Sequence, residues 1–281
     1  MRVGIDAGTT LTKFAYLSDK GSYSFETARN AVEVRGVVGK LLSIGLTEAN
    51  IIGIGNREAL SGLTLIRKPG DPIDNELRIQ ADGARRALAL VFKSDNPRGS
   101  EDLEFFLVSI GTGTSYVISR KDGIEKFPFG RALGGGTIVG LAASMNILGP
   151  GGLTELENKA QAGKPLDIFV SDLVPPSEID PKDPNLIVSN FAKADGEASP
   201  VDLAASIFHL VAVNIVEDVA LMGTGKLTTP RYVVYIGSTV ASVNPLVKYL
   251  DKYSQLVGFS PLFPLQYAPY AGALGALHMN D

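Results

Sequence analysis

The feature that most constrains this chain is a repeated unit, an apolar run that stops at a glycine/threonine turn and is followed by a second apolar run. Residues 2–17 read RVGIDAGTTLTKFAYL, and residues 107–118 read LVSIGTGTSYVI. Each has the pattern of a β-hairpin with a hydroxyl-rich turn. Val3-Gly4-Ile5-Asp6-Ala7-Gly8-Thr9-Thr10 lies over Val108-Ser109-Ile110-Gly111-Thr112-Gly113-Thr114-Ser115 with modest slippage. A unit repeated so far along the chain predicts a duplicated fold, one copy per lobe. Between the copies, Leu77, Ala81, Ala84, Leu88 and Val91 form an apolar stripe at helical spacing. Arg231–Ser238 (RYVVYIGS) reads as a buried strand ending on a glycine. Helices alternating with strands predict α/β architecture. The polar stretch Ser94–Asp102 predicts the join, giving an N-terminal lobe over 1–100 and a C-terminal lobe over 101–281; Val174–Asn185, with its prolines, predicts an exposed loop.

Composition closes off several kinds of chemistry. The chain of 281 residues has no cysteine, which removes disulfides, thiolate metal sites, iron–sulfur clusters and cysteine nucleophiles together. Its two histidines are far apart, and His209, inside the apolar stretch Leu203–Val216, reads as a packed helix residue rather than a ligand. A net charge of -4 leaves no basic excess for a nucleic-acid partner. The start, MRVGIDAGTT, shows no basic segment followed by an apolar core. The apolar run around Leu210–Val216 is short and interrupted for a bilayer span, so a cytoplasmic protein without a membrane partner is expected.

Four segments carry candidate chemistry. In Asp6-Ala7-Gly8-Thr9-Thr10-Leu11-Thr12-Lys13, backbone N–H groups of the turn can approach phosphate oxygens, Lys13 adds positive charge, and Asp6 can hold Mg²⁺ through its water shell. A plain hairpin turn with a surface lysine reads equally well from these residues alone. The second turn, Gly111-Thr112-Gly113-Thr114-Ser115, shifts the balance, because two such turns form the pair of clamps that a nucleotide between lobes requires. Leu133-Gly134-Gly135-Gly136-Thr137 opens a helical pattern and predicts an anion site of unpaired N–H groups, with the glycines explained by close approach to a ligand. It has neither Walker A nor dinucleotide-fingerprint spacing. Glu76 follows Asp74 and Asn75, either of which can cap a helix. That places Glu76 in the first turn, either as a base or as a surface residue complementing the dipole.

The ordered set DAGTTLTK, NELRIQADG, IGTGTS, LGGGTIVGL, YIGS and AGALGAL, spread from residue 6 to 277, resembles a type II (eukaryotic-like) pantothenate kinase of the actin/hexokinase/acetate-kinase superfamily. The resemblance implies two ribonuclease-H-like lobes with a nucleotide cleft between them. It also implies ATP with Mg²⁺, pantothenate as substrate, and a homodimer. It implies Glu76, seven residues before Gly83, as the catalytic base. Gly8, Thr9, Thr10, Leu11, Thr12 and Lys13 fall on nucleotide-phosphate contacts, as do Thr112 and Gly113. Gly135, Gly136 and Thr137 fall in the glycine-rich ATP loop, and Gly237 and Ser238 on a further ATP contact. Tyr253 matches a tyrosine that reaches pantothenate from the other subunit. The arginine that engages pantothenate in the family is replaced by Phe127, with Arg131 four residues later as the expected substitute, and the usual Asn/Ser-Phe-Gly of a lid-like region reads Asn190-Phe191-Ala192. Related readings are a kinase for another hydroxyl compound, such as an amino sugar, and a non-catalytic nucleotide-binding regulator. The similar ATPase activators of radical dehydratases hold an iron–sulfur cluster through cysteines, which this chain lacks.

Overall fold

In each half of the molecule an antiparallel meander of three strands is extended by two parallel strands. The structure, a computed structural model, describes residues 2–18, 20–66, 72–92, 103–175, 177–178, 186–224 and 229–279, without the side chains of 72–75. The first half contains β1 (Arg2–Ala7), β2 (Thr12–Leu17), β3 (Tyr23–Ala28), α1 (Ala31–Ser43), β4 (Glu48–Gly53), β5 (Thr64–Ile66) and α2 (Pro72–Phe92). The second sheet begins with β6 (Phe105–Ile110), β7 (Thr114–Arg120) and β8 (Gly123–Lys126), followed by α3 (Gly135–Ser144) and α4 (Gly152–Ala162). A short ribbon follows, β9 (Ile168–Phe169), α5 (Val170–Leu173) and β10 (Ile187–Ser189). The chain then runs through α6 (Pro200–Gly223), β11 (Tyr232–Ile236), α7 (Pro245–Leu256), β12 (Ser260–Leu262) and α8 (Ala271–Leu277).

The first sheet has the order β3-β2-β1-β4-β5, and the second, read from its meander, β8-β7-β6-β11-β12. Both are 3-2-1-4-5 arrangements with antiparallel pairs in the meander and parallel pairs beyond it. The duplicated fold expected from the two hairpins is therefore present. Register refines the alignment. Ala7 pairs with Thr12 across the first turn and Ile110 with Thr114 across the second. Counting back from each turn sets Asp6 over Ser109.

Strand alternation divides the core into layers. Val3, Ile5 and Ala7 point outward into a cluster with Val34, Val38 and Leu41 of α1. Phe106, Val108 and Ile110 point outward into the largest cluster, built with α3, α4, α6 and α7. Between the sheets lie α2 and α8. Ala81, Ala84 and Leu88 of α2 pack on Phe105 and Leu107, as their helical spacing predicts, with Leu77 partly buried beside them, while Val91 near the helix end is exposed. The C-terminal helix α8 returns to β1 and β2. The sheets thus fall on either side of residue 100, whereas α8 packs on the first. Ser94–Asp102, expected as the join, lies wholly outside the described residues, as does most of Val174–Asn185.

Two helices differ from expectation. Helix α6 runs for 24 residues, beyond both ends of the apolar stretch Leu203–Val216, and is long and apolar enough by length and composition to cross a membrane. Residues from Ala204 to Val219 on this helix are mostly buried in the protein core, so its apolar character is spent on packing. Helix α2 begins at Pro72, where the missing N–H costs nothing in a first turn. Asp74 and Asn75 therefore lie within the helix rather than capping it, and Glu76 is in its second turn.

Candidate active site

A cleft of about 380 Å³ opens between the two hairpin turns, lined among others by Asp6, Gly8, Lys13, Glu76, Gln80, Ser109, Ser115, Arg131 and Ser238. Antiparallel pairing explains its two walls. Asp6 is the cross-strand partner of Lys13, so both side chains leave the same face of the first sheet, and Lys13 Nζ lies 3.6 Å from Asp6 Oδ2. At the equivalent position of the second sheet, Ser109 is paired with Ser115. A charged pair from one lobe and a hydroxyl pair from the other thus line one cleft.

The turns themselves meet. Thr112 Oγ1 lies 3.3 Å from Thr10 Oγ1 and 3.5 Å from Thr9 Oγ1. Burial raises the Asp6 carboxyl above its ordinary value, a rise opposed by Lys13. Glu76, half-buried at the end of α2 that faces the cleft, is also raised, first by burial and then by the Asp6 charge, with Lys13 again opposing. A carboxyl moved toward neutrality by its surroundings suits proton abstraction. The shift is opposite to the helix-dipole effect expected from a first-turn position.

A feature of the sequence explains how Glu76 is held. Gly83 lies two helical turns along the same face, and a Cβ there would sit 1.7 Å from the carbonyl oxygen of Ala271. At Gly275 a Cβ would sit 1.9 Å from the carbonyl oxygen of Ile79. Backbone-to-backbone contact of α2 and α8 thus fixes the helix that presents Glu76.

The glycine run of α3 is placed differently from the expected anion loop. Gly135 N–H donates to the Gly111 carbonyl (2.8 Å) and Gly136 N–H to the Thr112 carbonyl (3.0 Å), while Gly134 N–H bonds Thr137 Oγ1 at 3.3 Å. The close approach that requires glycine is to the β6–β7 turn: a Cβ on Gly134 would sit 2.8 Å from Thr112 O. Gly135, Gly136 and Thr137 buttress the second turn rather than line the cleft, and donors expected to be unpaired are already bonded. Gly113 and Gly237 do line it, beside Ser238, whereas Leu11 and Thr12 lie in the first hairpin, with Thr12 fully buried.

Arg131 reaches the cleft, but its fork is engaged. Nε donates to Asp218 Oδ2 (2.7 Å) and a terminal nitrogen to Asp218 Oδ1, while Tyr116 Oη donates to the same carboxylate at 2.7 Å. Burial and that carboxylate push the Tyr116 hydroxyl well up. Phe127 is part of the core, stacked on Phe106 at 6.3 Å between centroids. Tyr253, expected to reach a neighbouring subunit's pocket, is buried in its own, with its hydroxyl 2.8 Å from His209 Nε2. His209 is a packed helix residue, as expected, but a polar one: Nδ1 bonds Asp167, which also accepts from Asn190 Nδ2 and Phe191 N–H. Those bonds accompany a left-handed backbone at Phe191, with φ 60.

Ser115, the last residue of the second turn, lines the cleft, and it is joined there by Gln80 and Ser109, which the sequence motifs do not single out. Ser109 interrupts an apolar strand on the cleft side, and Gln80 is four residues after Glu76, so both signals were present.

These features define a two-lobed, actin-like ATPase fold with a cleft between the facing hairpins. Similarity to solved structures agrees. The activator of the 2-hydroxyisocaproyl-CoA dehydratase from Clostridium difficile, with bound ADPNP, has a TM-score of 0.60 at 16% identity, covering 98% of this chain and 92% of that one. A ROK family glucokinase from Streptomyces griseus, in complex with glucose and AMPPNP, has a TM-score of 0.56 at 13% identity, covering 99% and 98%. The Fumble family model matches residues 91–279, and the chain belongs to that family. Type II pantothenate kinases of Staphylococcus haemolyticus and Bacillus anthracis are each 29% identical to it. The first alignment covers 100% of both chains, and the second 98% of this chain and 96% of the other.

Proposed function

We propose that this chain is a type II pantothenate kinase, transferring the γ-phosphoryl group of ATP to the primary hydroxyl of pantothenate and so opening coenzyme A biosynthesis. The observation that carries the reading is the meeting, in one cleft, of a half-buried glutamate with a raised pKa and two hydroxyl-rich turns from duplicated lobes. Full-length likeness to enzymes of that name supports the choice of acceptor.

In this reading Glu76 takes the proton of the acceptor hydroxyl as its oxygen attacks the γ-phosphorus and the bond to the β-phosphate oxygen breaks, leaving ADP. Lys13 neutralises phosphate charge, and the Thr9, Thr10 and Thr112 hydroxyls, with the amide of Gly113, hold the triphosphate in line; the Gly8 N–H is bonded to the Leu11 carbonyl, so Gly8 borders the cleft without donating into it. Gly237 and Ser238 border the adenosine side. Asp6 fits an Mg²⁺ held through water: it is a carboxylate at the cleft wall, and Mg²⁺ needs only one or two carboxylates besides phosphate and water oxygens. When bound, the cation draws charge from the phosphate oxygens. Arg131, oriented by Asp218, faces the acceptor's carboxylate. The enzyme acts in the cytoplasm as a homodimer, and sedimentation should give about twice the 29.7 kDa chain mass.

An ATP-coupled assay of the purified protein across pantothenate, N-acetylated amino sugars and no acceptor tests the whole reading. Turnover confined to pantothenate is expected. Turnover with a sugar alone would reassign the acceptor, and ATP consumption independent of any acceptor would overturn the kinase.

A further inference from the structure

Gln80 lies one helical turn after Glu76 in α2, and Nε2 donates to Glu76 Oε1 at 3.3 Å. The opposite end of the same amide is unusual. Gln80 Oε1 is buried and has no hydrogen-bond partner, in a side chain that is 9% exposed and lines the cleft. A buried acceptor without a donor forfeits its hydration and gains nothing in return. The alternative orientation of the amide would set its oxygen against the ionised carboxylate, two acceptors face to face, so Glu76 fixes the orientation seen.

That orientation suits only one state of Glu76. An ionised carboxylate is an acceptor alone, whereas the protonated acid carries an O–H donor. We propose that Gln80 is a positioning residue that serves Glu76 in both states, its N–H holding the ionised carboxylate and its carbonyl oxygen receiving the acid O–H once the acceptor's proton has moved. The exchange needs a half-turn about the last side-chain torsion, which is broad and nearly two-fold for an amide. It brings the orphaned oxygen to a donor at the moment one appears. The proton ledger closes. The acceptor O–H breaks as its oxygen bonds phosphorus, the proton passes to Glu76, and it leaves to solvent when the site opens. The inference rests on Glu76 being the base of the proposed phosphoryl transfer.

The contrast with a packing residue is sharp, because removing a buried orphan should not destabilise. Gln80→Met keeps the shape and abolishes both hydrogen bonds. Its Tm should match or exceed that of the parent, while kcat falls roughly 10-fold or more, within the range of a lost acid–base contribution, and the KM for ATP stays put. Of the two bonds lost, the charge-assisted one to the ionised carboxylate is the stronger, so the acid limb of kcat/KM should move to higher pH. A ¹³C NMR titration of the Glu76 carboxyl in the acceptor-free protein should show the same upward move. A lower Tm with an unmoved acid limb and an unmoved titration would make Gln80 a structural residue and overturn the proposal. The titration needs no turnover. If the acceptor panel shows no kinase activity, the functional reading falls by itself, and the NMR midpoint still decides whether Gln80 holds Glu76.

Discussion

Substituting alanine for Gly83 tests whether the crossing of α2 and α8 sets the position of Glu76. The new Cβ would stand 1.7 Å from the Ala271 carbonyl oxygen, where about 3.0 Å is the nearest such atoms come, so the backbones must part by about 1.3 Å. Both neighbours are main chain, so no side chain can swing away. Overpacking of this kind costs about 1–3 kcal/mol, and the better helix propensity of alanine returns about 1 kcal/mol. Glu76 lies on the same rigid helix two turns away, and a displacement of about 1 Å at a reacting group costs on the order of 10²-fold in rate. Gly83→Ala should therefore lower Tm by a few degrees and kcat by roughly 10²-fold, read by calorimetry and by the ATP-coupled assay. Gly39→Ala is the control. It lies in α1, where a Cβ would meet nothing within 4 Å, and it should gain about 0.5–1 kcal/mol without touching kcat. Parent-like Tm and kcat in Gly83→Ala would refute the tight crossing. A lower Tm with parent kcat would show that Glu76 is not governed by it.

Glu76→Gln should lose roughly 10²–10⁴-fold in kcat. Because the folded pKa is raised above 4.5, the folded state holds a proton that the unfolded chain has lost, and stability falls as pH rises through that window. The variant should thus melt higher than the parent at neutral pH, with the gain vanishing below about pH 4.5 in a Tm series; equal Tm at all pH values would deny the shift. Lys13→Ala and Thr112→Val should each raise the KM for ATP, with a double variant short of the combined effect because both serve one ligand; strict additivity would separate the two turns. Arg131→Met should raise the KM for pantothenate roughly 10-fold or more with the KM for ATP unchanged, and Asp218→Asn, which removes the charge that orients Arg131, should raise it too, by less. Indifference in both variants would place the carboxylate elsewhere.

The parts of the fold legible in the sequence were those that local pattern fixes. The two hairpins, the stripe of α2 and the strand β11 follow from side-chain periodicity, which depends on neighbours along the chain. What stayed hidden depends on partners far away. The three glycines of α3 announced a close approach without saying to what, and the partner is the turn at Gly111 and Thr112 rather than a ligand. Gly83 could be matched by position, yet its reason, a carbonyl in the last helix, cannot be read from residues near it. The helix start was misread because Asp74 and Asn75 look like caps while Pro72, equally suited to a first turn, lies further back. Tyr253 and His209 illustrate the same limit. Each has a polar end whose partner, along with Asp167, is brought in by tertiary packing.

The duplicated hairpins also explain why the cleft has two unlike walls. Register sets Asp6 over Ser109 and Lys13 over Ser115, so the equivalent pair of positions holds charges in the first lobe and hydroxyls in the second. An acidic residue in both lobes would bring a third carboxyl into a cleft where burial and Asp6 already raise Glu76. Each further like charge there would raise Glu76 again, and once its pKa passes the working pH no ionised carboxylate remains to take a proton. Serines avoid that field and can donate or accept as the ligand requires. Lys13 opposes the rise at both Asp6 and Glu76, so the single cation of the pair tempers two carboxyls at once. A symmetric site would hold its nucleotide equally from both sides. The asymmetric one gathers both carboxyls and Lys13 beside one another and sets the Ser109 and Ser115 hydroxyls opposite, which is the division of labour that the proposed phosphoryl transfer calls for.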